Sequence, residues 1–365
     1  MRGELDAFAS LSRKDQRAKG GLYLRGLMLE GRRKSMQSMC DRLGVDYQQL
    51  QQFVSSSSWP VEPVRRRLAA RAVEVVQLQA WVIDDTGLPK DGTASPGVAR
   101  QYSGSLGKVA NCQIGVSAHA ETDAASCPLD WCPFVPEAWD DTCAQTNEDA
   151  ERADARRARA RIPDTVRNRP KWELTPKMLD ELKGWGHAPP RVVADAGCGD
   201  NGTFRTSLTE RGLPYVVQVK GATSMHAADA ALAMPPYSGR GRPPVRASYG
   251  STPIQAQNLI AALPPEASEQ VSWRAGSRGA LSSRFAAVGV CPASRNLPRH
   301  PDGSLPEAWL LAEWPAGAEA PTDYWLATLP ATTELVRLGK IRWRIEHDYR
   351  ELKHGLGLDH FEGRT

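Results

Sequence analysis

The amino-acid sequence predicts an α/β fold in which a helical region precedes a mixed β-sheet. The N-terminal region has the texture of helices, whereas residues 81–83 and 191–194 are short apolar runs that read as buried strands. A helix with an apolar stripe is predicted over residues 341–353. Both strands are followed by aspartate and the helix carries a glutamate, so the elements that define the fold also hold the candidate functional residues.

Composition and charge narrow the class of protein. A chain of 365 residues is long enough for a sizeable core and for two or three domains or subdomains. The formal net charge is only +4, so the basic residues matter through their clustering, which is typical of a nucleic-acid partner. No apolar run of about 18 residues and no signal peptide is found, which predicts a cytoplasmic protein without a membrane span. The seven cysteines form no CxxC pair and are expected to be reduced thiols.

The N-terminal region is predicted to bind DNA. Residues 35–53 read as a helix, a glycine-centred turn and a second helix, which is the layout of a helix-turn-helix. A helical hairpin that only packs on its neighbours is an equal alternative. The basic run Arg65, Arg66 and Arg67 favours contact with phosphates over a solvated face.

The next part of the chain alternates strands and helices. Between residues 79 and 135 short apolar runs are separated by Gly and Pro, which predicts adjacent antiparallel strands, one of them at residues 111–117. A charged, Ala-rich helix is expected over residues 145–162, with a flexible link as the alternative, and an amphipathic helix over residues 173–185. Lys90 lies in a loop near the first aspartate, where it either contacts phosphate or solubilises the loop.

Three carboxylate positions have the setting of a metal site. Asp84 and Asp85 directly follow the first apolar strand, and Asp195 directly follows the second. Ligand and metal sites gather at such strand ends in α/β sheets, although an aspartate there also serves as a turn former or helix cap. Glu346 on the predicted helix is the third position. Three carboxylates are what two Mg²⁺ ions need for in-line displacement at a phosphodiester.

The helix over residues 341–353 carries two stripes, because successive residues are rotated by ~100°. The apolar stripe holds Ile341, Ile345 and Leu352, and the stripe beside it holds Arg342, Glu346 and Lys353. A carboxylate flanked by two cations on a half-buried helix fits a site for metal and phosphate. Ordinary ion pairs on a solvated face are the alternative.

Seven blocks of the sequence form a pattern when they are taken in order. They are residues 83–90, 97–104, 107–113, 193–197, 309–315, 342–346 and 357–364. Together they resemble the DDE transposases of bacterial insertion sequences, and among these the insertion-sequence 701 group, which is related to the insertion-sequence 4 superfamily. The resemblance covers most of the chain and implies an RNase H-like, mixed-sheet catalytic core that catalyses cut-and-paste transposition of DNA with Mg²⁺, which Mn²⁺ can replace.

The resemblance also implies where the protein works and what it binds. The expected partners are double-stranded DNA with terminal inverted repeats, target DNA and a second copy of the chain in the DNA complex. The expected location is the bacterial cytoplasm, in association with the nucleoid. A β-rich insertion at residues 215–332 would help to hold the DNA, with Trp273, Trp314 and Trp325 as candidates for stacking on unpaired bases and core packing as the favoured alternative.

Transferred by motif, the resemblance assigns the catalytic metal ligands to Asp84, Asp195 and Glu346. Asp84 is favoured because it directly follows the strand and stands two positions before Thr86. Asp85 takes its place if the strand register is shifted by one residue.

Three further residues acquire roles in the same way. Arg342 and Lys353 are expected to bind phosphates, and Trp343 is expected to contact DNA. The aromatic residue of the wider pattern, a tyrosine, would fall at Gly339, so that element is absent from this chain.

The expected organisation has four parts. A helical DNA-binding region at 1–78 precedes the first part of the core at 79–214, the β-rich insertion at 215–332, and a core segment at 333–365 that carries the glutamate and is expected to be truncated. The alternative function is a truncated or domesticated transposase remnant that binds DNA without cutting it. A nuclease or resolvase acting on branched DNA is a third hypothesis.

Overall fold

The computed structural model describes residues 7–31, 34–76, 79–237, 239–276, 279–294, 297–357 and 359. The last sequence block is therefore only partly covered, because residues 358 and 360–364 lie outside these ranges. The elements form a mixed α/β fold, which confirms the predicted fold class. The chain divides into two units: the first is Met1–Gln77, Asp84–Ala188 and Arg344–Thr365, and the second is Leu78–Ile83 and Pro189–Trp343.

Helices come first in the chain, and strands dominate after residue 79. The first elements are α1 (Lys14–Met28), α2 (Met36–Leu43), α3 (Tyr47–Ser55), α4 (Glu62–Val75), β1 (Ala80–Pro89), β2 (Ala99–Ser103), β3 (Lys108–Glu121), β4 (Ser126–Pro133), α5 (Asn147–Ala160) and α6 (Lys171–Gly184). The next are β5 (Val192–Ala194), α7 (Ala196–Gly199), α8 (Gly202–Glu210), β6 (Tyr215–Val219), β7 (Ser224–Ala227), β8 (Leu232–Ala233), β9 (Ser248–Tyr249), β10 (Ile254–Gln255) and α9 (Ala256–Ala261). The last are β11 (Ser268–Gly276), β12 (Gly279–Pro292), β13 (Ala308–Trp314), β14 (Asp323–Ala327), α10 (Thr333–Ile341), α11 (Trp343–Arg350) and a π-helical turn (Glu351–Gly355). None of the helices in the described ranges combines the length and the hydropathy needed to span a bilayer.

An aromatic cluster holds the N-terminal helices of the first unit together. Phe53 stacks on Trp59 with ring centroids 5.2 Å apart, and Phe8 meets both rings edge-on. A β-carbon at Gly20 would lie 2.5 Å from the Phe8 ring, so α1 reaches this cluster because residue 20 has no side chain. Each such aromatic pair contributes roughly 0.5–1.5 kcal/mol beyond the burial of its area.

Two short helices of this region have the predicted helix-turn-helix layout. α2 ends at Gly44, whose φ of 65° is a left-handed conformation that glycine adopts without strain. α3 begins after Asp46, whose side chain accepts a hydrogen bond from the backbone N–H of Gln49. Met39 and Leu50 are buried on the inner faces. Local sequence signals are therefore sufficient to place both helices.

The sheet of the first unit is built around the long strand β3. This strand lies beside β1, and along its other edge it pairs antiparallel with β2 and then with β4. Every residue from 116 to 121 is buried, so both faces of this part of β3 are covered. Polar side chains in this stretch must therefore find partners inside the protein.

Arg65 fastens α4 to this sheet. Its guanidinium donates hydrogen bonds to both carboxylate oxygens of Asp130 on β4, at 2.6 and 2.7 Å, and to Glu181 on α6 at 3.0 Å. It also lies 5.3 Å from the centroid of the Trp185 ring. The Asp130 side chain is only 2% exposed, so its charge depends on this partner.

The second unit contains a mixed sheet. Its strand order is β10, β7, β12, β13, β14, β6, β5 and β1, and β11 pairs with β12. β1, β5 and β6 are parallel to one another. Across the rest of the sheet, through β14, β13, β12, β7 and β10, each strand is antiparallel to its neighbour. Val192 on β5 is the register partner of Tyr215 on β6. The β-rich segment 215–332 thus continues the sheet that begins with β1 and β5.

The role of Arg65 in the first unit generates a stability prediction. Replacing Arg65 with alanine leaves Asp130 buried without its cation, so we expect a loss of about 2–3 kcal/mol in the free energy of unfolding, reduced from the fully buried case because the arginine is partly exposed. Arg66→Ala, on the exposed side of the same helix, is the matched control. Urea unfolding of both variants measures the effect, and equal stability of the two would contradict it.

Candidate active site

The two aspartate motifs follow a pair of register partners on neighbouring strands. β1 and β5 are parallel, and Ile83 on β1 is the register partner of Ala194 on β5. Asp84 and Asp195 are the next residues after this pair. β5 ends there as the sequence predicts, whereas β1 continues to Pro89 because its later residues belong to the sheet around β3. Ligand sites of α/β sheets lie at such positions.

Asp195 lies at the start of α7 and is held by the backbone. Its Oδ1 accepts a hydrogen bond from the backbone N–H of Cys198 at 3.2 Å, so the residue is an N-cap as well as a candidate ligand. A β-carbon at Gly197 would lie 3.2 Å from each carboxylate oxygen, which explains the glycine of this motif. A hollow of about 350 Å³ adjoins it, lined by Ala196, Gly197, Asp200, Asn201 and Lys220.

The neighbouring residues Asp84 and Asp85 have different surroundings. Asp84 Oδ1 accepts a hydrogen bond from the backbone N–H of Asp85 at 2.8 Å. Asp85 Oδ2 lies 2.9 Å from Nζ of Lys171 in the first turn of α6. Lys171 therefore compensates the charge of Asp85. The choice between the two as the metal ligand remains a prediction.

The single helix predicted over residues 341–353 is divided in the structure. α10 ends at Ile341, Arg342 occupies a turn, and α11 begins at Trp343. Glu346 lies in the first turn of α11 and is exposed, whereas Ile345 is buried as the stripe pattern predicts. The structure therefore presents the predicted third carboxylate on the outer face of a short helix.

A π-helical turn after α11 changes the position of Lys353. In a continuous α-helix Lys353 would share the face of Glu346, but the i→i+5 pattern adds a residue to the turn and rotates the side chains that follow. Lys353 is buried, and its Nζ donates to Oγ1 of Thr86 at 2.6 Å and to the carbonyl oxygen of Gly87 at 2.7 Å. It connects this segment to β1 just beyond Asp85. Its predicted contact with phosphate remains a prediction.

A row of polar side chains on β3 packs against α11 inside the first unit. Ser117, His119 and Glu121 alternate along the strand and point to one face. The Ser117 and Tyr349 hydroxyl oxygens are 2.6 Å apart. Nδ1 of His119 lies 3.2 Å from Oγ of Ser126, which in turn donates to Oε1 of Glu121 at 3.2 Å. Each of these three side chains therefore has at least one hydrogen-bond partner.

The same His119 is not part of a nucleophilic triad. Its Nδ1 also lies 3.6 Å from Oδ2 of Asp348, so the serine and the carboxylate approach the same ring nitrogen. A triad needs the serine on one nitrogen and the carboxylate on the other. Nε2 of His119 is buried without a hydrogen-bond partner among the described residues. Burial lowers the pKa of His119, although Asp348 acts in the opposite direction, so the ring is neutral.

Burial and like charges make this region of the first unit unfavourable for anions. The pKa of Glu121 is raised to about 9, chiefly by burial and also by the charges of Asp348 and Asp84, while the hydrogen bond from Ser126 acts in the opposite direction. Burial also raises the pKa of Tyr349 well above its usual value, with the charge of Asp84 adding to the effect. At neutral pH both side chains are therefore protonated.

The carboxylates of the first unit have the chemistry of a hard-cation site. Asp84 and Asp348 both disfavour the charged form of Glu121, and a divalent cation at this place would favour it. Oxygen donors of this kind suit Mg²⁺ or Mn²⁺. Within the described residues no three His, Cys, Asp or Glu side chains form a ready-made metal cage. The donor types therefore fit the predicted metal, whose ligands stay a prediction.

Trp325 occupies the space beside Gly339, the position at which the tyrosine of the sequence pattern is missing. A β-carbon at Gly339 on α10 would lie 3.3 Å from the ring of Trp325 on β14. Trp325 is only 4% exposed, so it fills the space in front of Gly339 and belongs to the core of the second unit. It offers no free face for stacking on a base.

The residues predicted to contact DNA differ in exposure. The guanidinium of Arg65 is engaged with its two carboxylate partners, and Lys90 is buried with 7% of its surface exposed. Among the other predicted DNA contacts, Arg66 and Arg67 are exposed, and Arg342 and Trp343 are half-buried. A contact between α4 and phosphate remains a prediction, and Arg66 and Arg67 are the exposed arginines of the predicted set.

Sequence reasoning missed the residues that surround the aspartates in the first unit. Lys171 is far from Asp85 in sequence, and no local pattern links them. The polar row on β3 had a visible signal, because Ser117, His119 and Glu121 recur with the period of two that places side chains on one strand face. The strand predicted at residues 111–117 ended before His119 and Glu121, so this polar face was not recognised.

Comparison with known proteins adds two findings. The family model described as DDE superfamily endonuclease matches residues 6–280. The probable transposase for insertion sequence element IS701 of Microchaete diplosiphon is 26% identical over 199 residues, which are 53% of this chain and 47% of that relative. The matched region thus spans about half the length of the curated relative.

The raised pKa of Glu121 generates a prediction for the metal-free protein. A carboxyl group whose pKa rises from 4.5 to about 9 on folding contributes stability that is fully present below pH 4.5 and is lost as the pH rises towards 9. Glu121→Gln keeps the shape and cannot ionise, so its melting temperature should exceed that of the wild type increasingly between these pH values. Thermal unfolding followed by circular dichroism across this range measures the difference.

The matched control for this prediction is Glu148→Gln, at an exposed position of α5. It should show no comparable pH dependence. A Glu121→Gln effect that is the same at every pH would contradict the assigned role of burial.

Proposed function

The chain belongs to the DDE superfamily endonucleases, whose family model covers residues 6–280, and on this basis we propose that it is a DNA transposase. It would cut phosphodiesters at the ends of a transposon and join those ends to target DNA by a cut-and-paste route. The similarity to an insertion-sequence transposase supports this proposal over a nuclease with another substrate.

One observation carries the proposal. Ile83 and Ala194 are register partners on adjacent parallel strands, and each is directly followed by an aspartate. Carboxylates that follow paired positions on adjacent parallel strands suit a metal-dependent phosphodiesterase, since ligand sites lie at strand ends and two metal ions serve in-line displacement. Asp84 and Asp195 are the proposed ligands from these strands, and Glu346 in the first turn of α11 is the proposed third ligand.

The chemistry divides between the metal and the side chains. When bound, two Mg²⁺ ions would activate the attacking oxygen and stabilise the leaving oxygen of an in-line displacement. In the first reaction water attacks the phosphodiester at the transposon end and releases a 3′-hydroxyl. In the second that hydroxyl attacks another phosphodiester, in the opposite strand or in the target, and one P–O bond replaces another.

The protein residues would hold and orient the reactants. Lys171 fixes Asp85 by an ion pair and thereby supports the backbone that carries Asp84. Lys353 fixes β1 through Thr86 and Gly87. These contacts would restrain the part of β1 that carries the first aspartate, and a preorganised site requires such restraint.

DNA binding is proposed for the N-terminal region and the second half of the chain. The helix-turn-helix layout of α2 and α3, with Arg66 and Arg67 exposed on α4, supports recognition of terminal inverted repeats. Arg342 is the proposed phosphate ligand next to α11. A homodimer in the DNA complex and association with the nucleoid are part of the same proposal.

Replacement of the proposed third ligand tests the function. Glu346→Gln should abolish cleavage of a labelled duplex that carries the inverted repeat flanking the gene, because the amide binds divalent cations poorly. Its affinity for the same duplex should not change, since Glu346 is expected to bind metal only. Gel-based cleavage in Mg²⁺, Mn²⁺ and EDTA, together with gel-shift titration, measures both properties.

The wild-type chain in EDTA is the control and should not cut. Cleavage that continues in EDTA would exclude a metal-dependent mechanism. A wild-type chain that binds the duplex in Mg²⁺ without cutting it would instead identify a DNA-binding remnant.

The partners of the two adjacent aspartates generate a separate prediction. Asp84→Asn should abolish cleavage, whereas Asp85→Asn should retain activity within about tenfold, because a partly exposed ion pair contributes about 1 kcal/mol. The two variants are matched in chemistry and in sequence position. Single-turnover cleavage rates measure them, and the reverse order would assign the metal to Asp85.

A further inference from the structure

A bulge in the β11–β12 hairpin aims one arginine at the start of α11. Ser272 pairs with Ser282 and Arg274 pairs with Leu281, so β11 contains one extra residue between them. A bulge of this kind redirects the side chains next to it. The guanidinium of Arg274 lies 3.5 Å from the ring centroid of Trp343, which is van der Waals contact with the indole face.

The Arg274 guanidinium lacks the partners that a half-buried cation normally has. Its Nε and Nη1 are buried and have no hydrogen-bond acceptor within the described part of the chain. A buried N–H without an acceptor is unfavourable by roughly 1–3 kcal/mol. Lys340, another cation on the tryptophans of the second unit, is compensated by a hydrogen bond to Glu313.

Other arginines with a buried unpaired nitrogen show the contrast. Among the described residues only Arg274 has two such nitrogens. The other three have one each and bind an acceptor through another nitrogen: Arg191 binds Glu334, Arg205 binds the Gly199 carbonyl, and Arg344 binds the Ala124 carbonyl. The guanidinium of Arg274 thus packs on an aromatic face, while its Nε and Nη1 groups have no acceptor among the described residues and could donate to a bound ligand.

We propose that Arg274 binds a backbone phosphate of the DNA substrate and that Trp343 serves as its platform. The inference rests on the proposed function, which makes DNA the anion presented to this unit. A planar guanidinium suits a phosphate because its donors match the oxygens of that group. The indole face under Arg274 is covered, so Trp343 acts through the arginine and not by stacking on a base from that side.

The effect of Arg274→Met on the melting temperature distinguishes a DNA-binding role of Arg274 from a purely structural role. Arg274→Met keeps an unbranched chain against Trp343 and removes the unpaired N–H groups. If Arg274 is a binding residue, the melting temperature should stay the same or rise while DNA binding weakens about tenfold at low salt. Arg274→Lys keeps the positive charge but lacks the planar guanidinium with its paired donors, so its affinity should lie between those of the wild type and Arg274→Met.

Fluorescence anisotropy with a labelled duplex of arbitrary sequence measures the affinity, because a phosphate contact does not depend on sequence. Repeating the titration over a series of KCl concentrations should show that Arg274→Met reduces the slope of log Kd against log salt by about 0.9, the value of one phosphate contact. Arg284→Met is the matched control on the next strand of the hairpin, where the side chain is exposed and donates to Ser268. It should leave the affinity within about twofold, as a solvated charge contributes little.

Each outcome has a distinct meaning. If Arg274→Met lowers the melting temperature and leaves affinity and salt slope unchanged, the arginine is structural and the inference fails alone. If that variant does not fold, Arg274→Lys is the deciding variant. A lysine with wild-type affinity and salt slope would contradict a contact that needs the paired donors of the guanidinium, and a weaker affinity would support that contact. If the wild-type chain does not bind the duplex at all, the proposed function fails and this inference fails with it.

Discussion

The parallel pairing of β1 with β5 is the constraint on which the candidate site depends. Backbone hydrogen bonds fix the register Ile83 to Ala194, and a shift of one residue would turn every later side chain to the opposite face. The apolar residues before Asp84 and Asp195 are buried, so the hydrophobic effect and the hydrogen bonds select the same register. Strand geometry therefore leaves few alternatives for the pairing of β1 with β5, on which the proposed ligands depend.

Charge burial is the second theme of the first unit. Glu121 is kept protonated beside Asp84 and Asp348, whereas Asp85 and Asp130 each receive a basic partner. Carboxylates in a low-dielectric interior either gain a cation or retain a proton. In the first unit, acidic side chains are therefore accommodated in two ways, by protonation at Glu121 and by ion pairs at Asp85 and Asp130.

The features that could be predicted from the sequence are those determined by residues close together in the chain. The fold class, the helical N-terminal region and the strands before the two aspartates followed from periodicity and turn residues. Contacts between distant residues did not follow, because nothing near Arg65 in the chain indicates Asp130 or Glu181. The π-helical turn that buries Lys353 was equally invisible, since it depends on a hydrogen-bond pattern and not on residue type. The metal ligands were predicted from motif resemblance.

The attachment of α4 has a consequence for the modular evolution of this chain. Because Arg65 is bound by Asp130 on β4 and Glu181 on α6, the helical region and the strands beside it should open together in hydrogen exchange. Exchange of the first four helices with those of a homologue would leave the Asp130 carboxylate stranded unless the incoming α4 also carried a matching arginine. This region is therefore expected to accept surface substitutions more easily than the exchange of whole segments.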